Sequence, residues 1–534
     1  MNCRRASLAF LLAALVAPAT ARADAPPLPV RLPGDASITA VRADPATWLV
    51  GARPGGASAS VARRFAARHV GPAGTGGYVV ARARARAFAA ALRARGLLAY
   101  AEPNMIERPL AVQQDPLSTT PYDWRSLVAK PSLDPPPVTS NSPLIALIDA
   151  QADTGHEEFA NDPNFSSLGT RPATIAHGTA TASVAAAPAN GKGILGVWPG
   201  ARALNVPVPG DSITCSRSAN SIARAVAEGA AVINMSYGST VECLTERVAL
   251  YLAIGQGVTP VAAAGNDFEE GNPLEWPASE PHVLTVAATR RDGRSAPFSS
   301  ASAAVDLSAP GVDIRTAVPP AFSDADTPGY AVQSGTSFAA PMVAAAVAWV
   351  RQARPRLRAD QVAQAIRLSA RDVESAGWDP DTGFGVLDVG AALAANVPPH
   401  DPNEPNDDMV WVDGTAFRYP DPPIWSGRGR TRLTALLDGA EDPADVYRIV
   451  IPGRRRARVS ADPGFGAVTL AAYRGNALGI SNTRRRLAIA RRRGGATQRL
   501  TVRNRARRRR VFYLVVAPQT SGGVLDADYV LRVR

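Results

Sequence analysis

The sequence predicts an α/β protein whose central domain has a doubly wound, mainly parallel sheet, preceded by a small α+β domain and followed by a β-sandwich. Short apolar runs alternate with helical patterns between residues 144 and 395, and short β-type runs follow residue 401. A length of 534 residues exceeds what one core accommodates, so we expect several domains. With 46% apolar and 19% charged residues, these domains should be globular rather than disordered.

Residues 1–23 have the pattern of a secretory signal peptide. Arg4 and Arg5 precede an apolar run over residues 8–16, and Ala21-Arg-Ala23 forms a cleavage site. This run is shorter than the roughly 20 residues of a membrane-spanning helix. We therefore expect a secreted protein, extracellular or associated with the cell wall, without a transmembrane segment.

Residues 24–115 predict the small α+β domain, because strand-like residues 78–80 precede Phe88, Leu92 and Leu97 at helical spacing. Residues 116–396 predict the parallel sheet. Its expected strands are 144–149, 203–208, 231–236, 258–266 and 283–289. A helix is expected from Ser337 to Arg351 and another near 384–395. Residues 401–534 carry short β-type runs separated by turn residues, which predict the sandwich.

The excess positive charge lies in the C-terminal quarter. Residues 1–400 contain 33 Lys and Arg against 33 Asp and Glu, whereas residues 401–534 contain 25 against 13. The arginine runs 484–486, 491–493 and 507–510 predict either a basic face for an anionic cell-wall polymer or acidic substrate, or a solvated surface. They lack base-reading motifs and interleaved aromatic residues, so we expect no nucleic-acid partner.

The signal peptide contains Cys3, which leaves Cys215 and Cys243 in the exported chain. An even number of cysteines in an exported protein favours a disulfide between them, and two buried thiols are the alternative.

Four polar residues stand where an α/β sheet concentrates its active groups, at the carboxyl ends of strands and the beginnings of helices. Asp149 ends an apolar strand, His177 precedes an alanine-rich helix, and Ser337 begins a helix whose dipole faces developing negative charge. Asn266 ends another strand and supplies an amide donor for an oxyanion. This set predicts hydrolysis through a Ser–His–Asp arrangement.

The order Asp149, His177, Ser337 and the motifs around them resemble the subtilisin-like serine proteases. The resemblance covers residues 116–396 and implies a serine endopeptidase acting on polypeptides. It also implies that the primary specificity pocket is lined by two segments, which are Ser236, Tyr237 and Gly238, and Ala263, Ala264 and Gly265. The residue order and the absence of a Gly-x-Ser-x-Gly elbow at Ser337 argue against an α/β-hydrolase esterase.

The flanking domains also resemble parts of such proteases. Residues 36–112 resemble the inhibitory propeptide, which would assist folding, occupy the cleft and be removed by self-cleavage between Leu110 and Tyr122. Residues 401–534 resemble the sandwich found after secreted peptidase domains. The resemblance requires no cofactor and assigns no metal ligands here. It leaves structural calcium open, with residues 190–193 as a candidate loop.

The Asp motif departs from the family pattern, in which Ser or Thr and then Gly follow the Asp. Here Ala150 and Gln151 follow it, and Gln does not tolerate every backbone conformation open to Gly. Asp153 is a second candidate, but Asp149 ends the apolar strand. Gln151 favours the alternative of a catalytically silent homologue that acts as a cell-wall or protein binding module.

Substrate preference is not fixed by the sequence. Four acidic residues near the pocket would either favour basic substrate side chains or be solvated loop carboxylates; these are Asp267, Glu269, Glu270 and Glu275.

Overall fold

A computed structural model describes residues 30–33, 43–72, 74–109, 112–113, 124–130, 132–208, 212–417, 419–519 and 527–534. The expected signal peptide lies outside these residues, as does most of the segment expected to contain the self-cleavage site. No helix of the described ranges is both long enough and apolar enough to cross a bilayer.

The first unit is a small α+β domain. Its elements are β1 (Ala43–Ala52), α1 (Gly56–Arg64), β2 (Arg68–His69), β3 (Gly77–Ala81), α2 (Arg82–Arg93) and β4 (Leu98–Pro109). The strands pair antiparallel in the order β4-β1-β3-β2. Helix α2 covers one face because Ala85, Phe88 and Leu92 recur on one side of it and are fully buried.

The second unit contains the seven-stranded sheet. Its elements are β5 (Val112–Gln113), β6 (Leu144–Asp149), β7 (Phe165–Ser167), α3 (His177–Ala186), β8 (Ala203–Pro207), β9 (Ile213–Thr214), α4 (Cys215–Ala227), β10 (Ala230–Met235), β11 (Tyr237–Gly238), α5 (Leu244–Gly255), β12 (Thr259–Ala263), β13 (Leu284–Thr289), β14 (Leu307–Pro310), β15 (Ile314–Ala317), β16 (Tyr330–Ser334), α6 (Thr336–Ala353), α7 (Ala359–Leu368) and α8 (Val389–Ala394). The sheet order is β14-β13-β12-β10-β6-β8-β7, and every pairing in it is parallel. The predicted fold class is confirmed.

Helices cover both faces of this sheet. Alternate residues of β6 explain why: Ile145 and Leu147 join the core under α3 and α6, whereas Ala146 and Ile148 join the core under α4 and α5. Helix α6 is buried along most of its length, as its run of alanines and valines requires.

The helix expected near residues 384–395 begins later than predicted. Gly383 and Gly385 have φ angles of 64° and 115°, which interrupt the helical path, and α8 begins only at Val389. Asp388 caps it by accepting a hydrogen bond from the Ala391 N–H at 2.9 Å.

The third unit is a β-sandwich. Its elements are α9 (Met409–Val412), β17 (Thr431–Leu437), β18 (Asp445–Ile451), β19 (Arg456–Gly466), β20 (Val468–Arg474), β21 (Arg486–Ala490), β22 (Gln498–Arg503), β23 (Arg510–Pro518) and β24 (Ala527–Val533). Two antiparallel sheets, β17-β24-β19-β22 and β18-β23-β20-β21, enclose one core. Trp411 of α9 packs against Tyr251 of α5, with ring centroids 4.5 Å apart, so this unit contacts the central one.

Candidate active site

Asp149 lies at the carboxyl end of β6 with both carboxylate oxygens engaged. Oδ1 lies 2.6 Å from His177 Nδ1 and accepts a hydrogen bond from the Ala150 N–H, and Oδ2 accepts one from Thr181 Oγ1 at 2.9 Å. The residue is buried. Because an ionised carboxylate only accepts, Nδ1 of His177 carries the hydrogen.

His177 is the first residue of α3 and is 6% exposed. With the proton on Nδ1, Nε2 is the basic nitrogen, and it has no hydrogen-bond partner among the described residues. The helix approaches the Asp149 loop closely at Gly178, where a Cβ would lie 2.1 Å from the Ala150 carbonyl oxygen. Only glycine allows this approach.

Ser337 lies in the first turn of α6, directly after β16. Gly335 precedes the helix with a φ of 155°, a conformation that favours glycine. The N–H groups of this first turn have no helical partner, and the helix dipole adds partial positive charge there. Phe338 brings α6 against the imidazole, with ring centroids of Phe338 and His177 5.9 Å apart.

Asn266 follows β12 and its side chain is oriented by Thr336. Its Oδ1 accepts hydrogen bonds from the Thr336 N–H at 2.9 Å and from Thr336 Oγ1 at 3.1 Å. The opposite end of the amide, Nδ2, is a buried donor with no partner among the described residues. A buried donor that is already oriented can stabilise negative charge that develops only during a reaction.

The two predicted pocket segments lie beside Ser337. Ser236 donates its hydroxyl to the Ser337 carbonyl at 2.8 Å, and Tyr237 and Gly238 form β11. Across from them, Ala263 ends β12 and Gly265 has a φ of 118°. The backbone of β11 pairs with a partner strand, and the presentation of this backbone to a substrate stays a prediction.

That partner strand comes from the first unit. The end of β4 runs antiparallel between two edges of the central unit: Ile106 and Glu107 pair with β9, and Arg108 and Pro109 pair with β11. After a gap, Val112 of β5 pairs with Ser334 of β16, three residues before Ser337. The chain thus lies along the site from both sides.

The first unit also supplies caps for two helices of the central unit. Glu102 accepts hydrogen bonds from the Leu244 and Thr245 N–H groups of α5, both at 3.0 Å. Asn104 accepts one from the Ser216 N–H of α4 at 2.9 Å. Burial raises the pKa of Glu102 to about 7, against partial lowering by these hydrogen bonds.

The predicted disulfide between Cys215 and Cys243 is confirmed, with a Cα–Cα distance of 6.1 Å. It joins the beginnings of α4 and α5 and is buried against Leu49 and Met105 of the first unit. It therefore fixes the spacing of the two helices that β4 caps.

The loop after Asp149 accommodates Gln151 with a negative φ. Gln151 Nε2 donates to the Ala152 carbonyl and to Ser167 Oγ, both at 2.9 Å. Asp153 Oδ1 accepts a hydrogen bond from the Gly155 N–H, which makes it a loop carboxylate distant from the imidazole contact. Asn205 holds the same loop, since its side chain bonds the Ala150 carbonyl and the Ala152 N–H.

Sequence reasoning did not single out Thr181 or Asn205, which hold the Asp149 loop, or Glu102. Thr181 lies one helical turn after His177, a spacing that would have placed it on the same face. The candidate calcium loop at 190–193 is bonded to Glu158, which accepts from the Asn190 side chain and the Ile194 N–H.

A parallel doubly wound sheet with Asp149, His177 and Ser337 at its carboxyl edge defines the subtilisin-like class of folds. The family model described as the subtilase family matches residues 111–385, and the chain belongs to this family. It is 34% identical to fervidolysin from Fervidobacterium pennivorans over 244 residues, which are 42% of this chain and 35% of fervidolysin. It is 29% identical to subtilisin E from Bacillus subtilis over 303 residues, 55% of this chain and 75% of subtilisin E.

The crystal structure of fervidolysin superposes with a TM-score of 0.54 at 20% identity, covering 90% of this chain and 70% of fervidolysin. This similarity supports the fold. The sequence match spans about a third of the length of fervidolysin.

Proposed function

We propose that the chain is a secreted serine endopeptidase that hydrolyses polypeptides through an acyl-enzyme. The observation that supports this most directly is the Asp149–His177 hydrogen bond, which leaves a basic Nε2 without a partner in the described structure, next to the helix of Ser337. The expected signal peptide at residues 1–23 supports an exported enzyme.

In the proposed reaction His177 acts as base and acid in both halves, and each other group has a single role. Nε2 of His177 takes the proton of Ser337 Oγ while that oxygen attacks the substrate carbonyl carbon, and then gives the proton to the leaving amine. Asp149 stabilises the charged imidazolium. Water, deprotonated by His177, then attacks the acyl carbon, and His177 gives that proton to the leaving Ser337 Oγ, which frees the carboxylic acid product and restores the enzyme.

The oxyanion would be held by Asn266 Nδ2 and the backbone N–H of Ser337. Both are donors that exist before substrate binds, so no reorganisation is needed when the charge develops. Asn266→Ala should lower kcat by about 100- to 1000-fold with little change in KM, a magnitude taken from subtilisin itself.

Serine-directed labelling separates the enzyme from a silent homologue. The processed protein should react with a fluorophosphonate at Ser337 and cleave a denatured protein, and Ser337→Ala should do neither. Asp153→Asn serves as the matched control, because this carboxylate bonds only within its own loop among the described residues, and should keep full activity. An unlabelled wild-type Ser337 would favour the binding module.

We further propose that the first unit is the inhibitory propeptide and that the bond after Leu110 is cut. Pro109 pairs with Tyr237, and the residue before Tyr237 is Ser236, whose carbonyl accepts a hydrogen bond from Ser337 Oγ at 3.3 Å. On the other side, Val112 pairs with Ser334. The described residues that precede and follow positions 110 and 111 thus pair with strands on either side of Ser337.

Terminal sequencing tests this register. The mature form of the wild-type protein should begin at Ala111, and Ser337→Ala made in a protease-free host should keep the first unit attached. Identical sizes of the two mature proteins would rule out self-processing. A different first residue would rule out the register but not the self-cleavage.

The sandwich carries an arginine groove that suits an anionic polymer of the cell wall or an acidic substrate. The groove has a volume of about 690 Å³, and seven arginines line it, namely Arg454, Arg455, Arg456, Arg458, Arg503, Arg505 and Arg534. Arg456 lies directly opposite Arg503 across β19 and β22. Like charges at opposed positions repel, and a bound anion would offset this repulsion.

A further inference from the structure

Three carboxylates converge where the segment after α8 meets the sandwich. Asp401, Glu404 and Asp445 each place one oxygen so that all three lie within 4.8 Å of one another. Oxygens that share one Ca²⁺ at 2.3 to 2.6 Å cannot be more than about 5 Å apart. The spacing of this group therefore fits a single calcium ion.

Two of these side chains are buried and lack a partner for one oxygen. Asp445 is 0% exposed and Asp401 is 8% exposed, and neither Asp445 Oδ1 nor Asp401 Oδ2 accepts a hydrogen bond within the described structure. Asp442 Oδ1, in the turn before β18, is likewise without one. A buried, ionised carboxylate oxygen without a partner has a high free-energy cost, so these oxygens require a bound cation or a proton.

The neighbouring arginine and histidine side chains are already engaged. Arg367 pairs with Asp306 and Asp438, and His282 contacts Glu404 and Asp407 at 3.3 and 3.2 Å. No ion pair of the described residues involves Asp401, Asp442 or Asp445 with Lys or Arg. Burial first, and then the other carboxylates, raise the pKa of Asp401 and Asp442 far above the ordinary value.

We propose that Asp401, Glu404 and Asp445 bind one calcium ion. All donors are carboxylate oxygens, which favour a hard cation over zinc or copper. A cavity of about 380 Å³ gives access, since Asp401, Glu404 and Asp442 line it together with residues of the central unit such as Gly257.

The ion would join two segments that are about forty residues apart, namely the connecting segment and the beginning of β18. It would fix the sandwich at the end of the connecting segment and against the central unit. Because no single loop holds all three ligands, the sequence shows no dense carboxylate loop at this site.

A second acidic group provides a matched control. Glu374, Asp379 and Asp381 also converge, but, unlike Asp401 and Asp445, none of them has a buried oxygen that lacks a hydrogen-bond partner among the described residues. Oδ1 of Asp379 accepts from the Asp381 and Thr382 N–H groups, and Oδ2 from Thr382 Oγ1. We expect no calcium there.

The test uses the full chain with Ser337→Ala, which prevents self-digestion, after removal of metal with a chelator. Calorimetric titration with CaCl₂ should show one site, and saturating calcium should raise Tm by about 5 °C. Asp445→Asn should weaken binding at least about 10-fold and abolish the rise in Tm. Its amide oxygen can still accept the hydrogen bond from Tyr529. Asp381→Asn should behave as the parent.

Calcium-free melting distinguishes an ion site from a structural role of Asp445. Without calcium, Asp445→Asn should melt at or above the parent Tm, because it removes one of several repelling carboxylates. Absence of calcium binding to the parent, or an unchanged calcium response in Asp445→Asn, would overturn the proposal. If circular dichroism shows that Asp445→Asn is unfolded, Asp401→Asn replaces it with the same criteria. These readouts are independent of peptidase activity.

Discussion

Ser236 and Ser337 are linked in both directions because of a proline one turn further along α6. Pro341 has no N–H, so the carbonyl of Ser337 lacks the bond that a helix normally supplies from four residues on. Ser236 Oγ donates to this carbonyl, and Ser337 Oγ donates to the carbonyl of Ser236. The residue before β11 and the beginning of α6 are thereby held together.

Ser236→Ala should therefore destabilise the protein by about 1–3 kcal/mol, because it leaves the buried Ser337 carbonyl unpaired. Adding Pro341→Ala restores an N–H at the helical position and should recover part of this loss. Melting curves in the Ser337→Ala background, which keeps the backbone carbonyl, measure both effects. If the double variant recovers nothing, the loss has another origin.

Glu275 lies behind the wall of the predicted specificity pocket. A Cβ on Gly265 would come within 2.8 Å of Glu275 Cγ, and Glu275 is 2% exposed. Among the acidic residues considered from the sequence, Glu269 and Glu270 are exposed instead. Burial, which the sequence does not give, therefore distinguishes Glu275, a candidate for substrate specificity, from the solvated loop carboxylates Glu269 and Glu270.

We expect Glu275→Gln to change the preference for the substrate residue on the amino side of the cleaved bond. The ratio of kcat/KM for arginine over leucine at this position should fall about 10-fold or more, since Gln lacks the carboxylate that would accept a charge-assisted hydrogen bond from a substrate arginine. Paired peptide substrates measure the ratio, and Glu269→Gln is the exposed control. Equal ratios in all three proteins would exclude Glu275 from specificity.

At the scale of elements, the docking of β4 depends on the beginnings of α4 and α5. Helix beginnings have unpaired N–H groups, and Asn104 and Glu102 supply the acceptors. Glu102 has an ordinary pKa of 4.5 when solvated and about 7 when docked. Burial is the largest cause, and Glu242 adds to it.

The sign of the pH effect follows from this rise in pKa. The docked state binds the proton of Glu102 more tightly, so its contribution to docking is fully present below about pH 4.5 and is lost as pH rises through about 7. Activation of the processed chain should therefore be at least about 10-fold faster at pH 8 than at pH 5.

Glu102→Gln should flatten this dependence, because its amide does not titrate. The rate at which activity appears after processing, followed from pH 5 to 8, measures it. Asn104→Ala is the control: it removes a cap that does not titrate, so it should speed activation at every pH without changing the slope. A Glu102→Gln slope equal to that of the parent would contradict the assignment.

Elements with a local signal could be predicted from the sequence. The run 144–149 ends at Asp149 both in the sequence pattern and in β6, since an apolar strand and its polar end lie within six residues. The pairing of β4 with β9 and β11 could not be predicted, because its partners are more than 100 residues away. Likewise, only the fold reveals that Ser167 accepts the Gln151 side chain.

At the scale of the whole molecule, the central unit and the sandwich share a buried interface. Arg367 of α7 contacts Asp306 of the central unit and Asp438 of the sandwich, and all three are at most 3% exposed. Trp411 adds an apolar contact on α5. Deleting the chain from residue 401 would leave Arg367 without Asp438 and expose this surface, so such a deletion would disturb the fold together with any binding.

The arginine groove is therefore tested by substitution in the full chain. Replacing Arg454, Arg456 and Arg503 with Gln should weaken binding to a polyphosphate of defined length about 10-fold and reduce its salt dependence, since three exposed contacts are lost. Replacing Arg484, Arg485 and Arg486, which lie at the beginning of β21 and outside the groove lining, removes the same charge. Equal losses in both triple variants would show that net charge alone attracts the polymer, and only a selective loss supports a site in the groove.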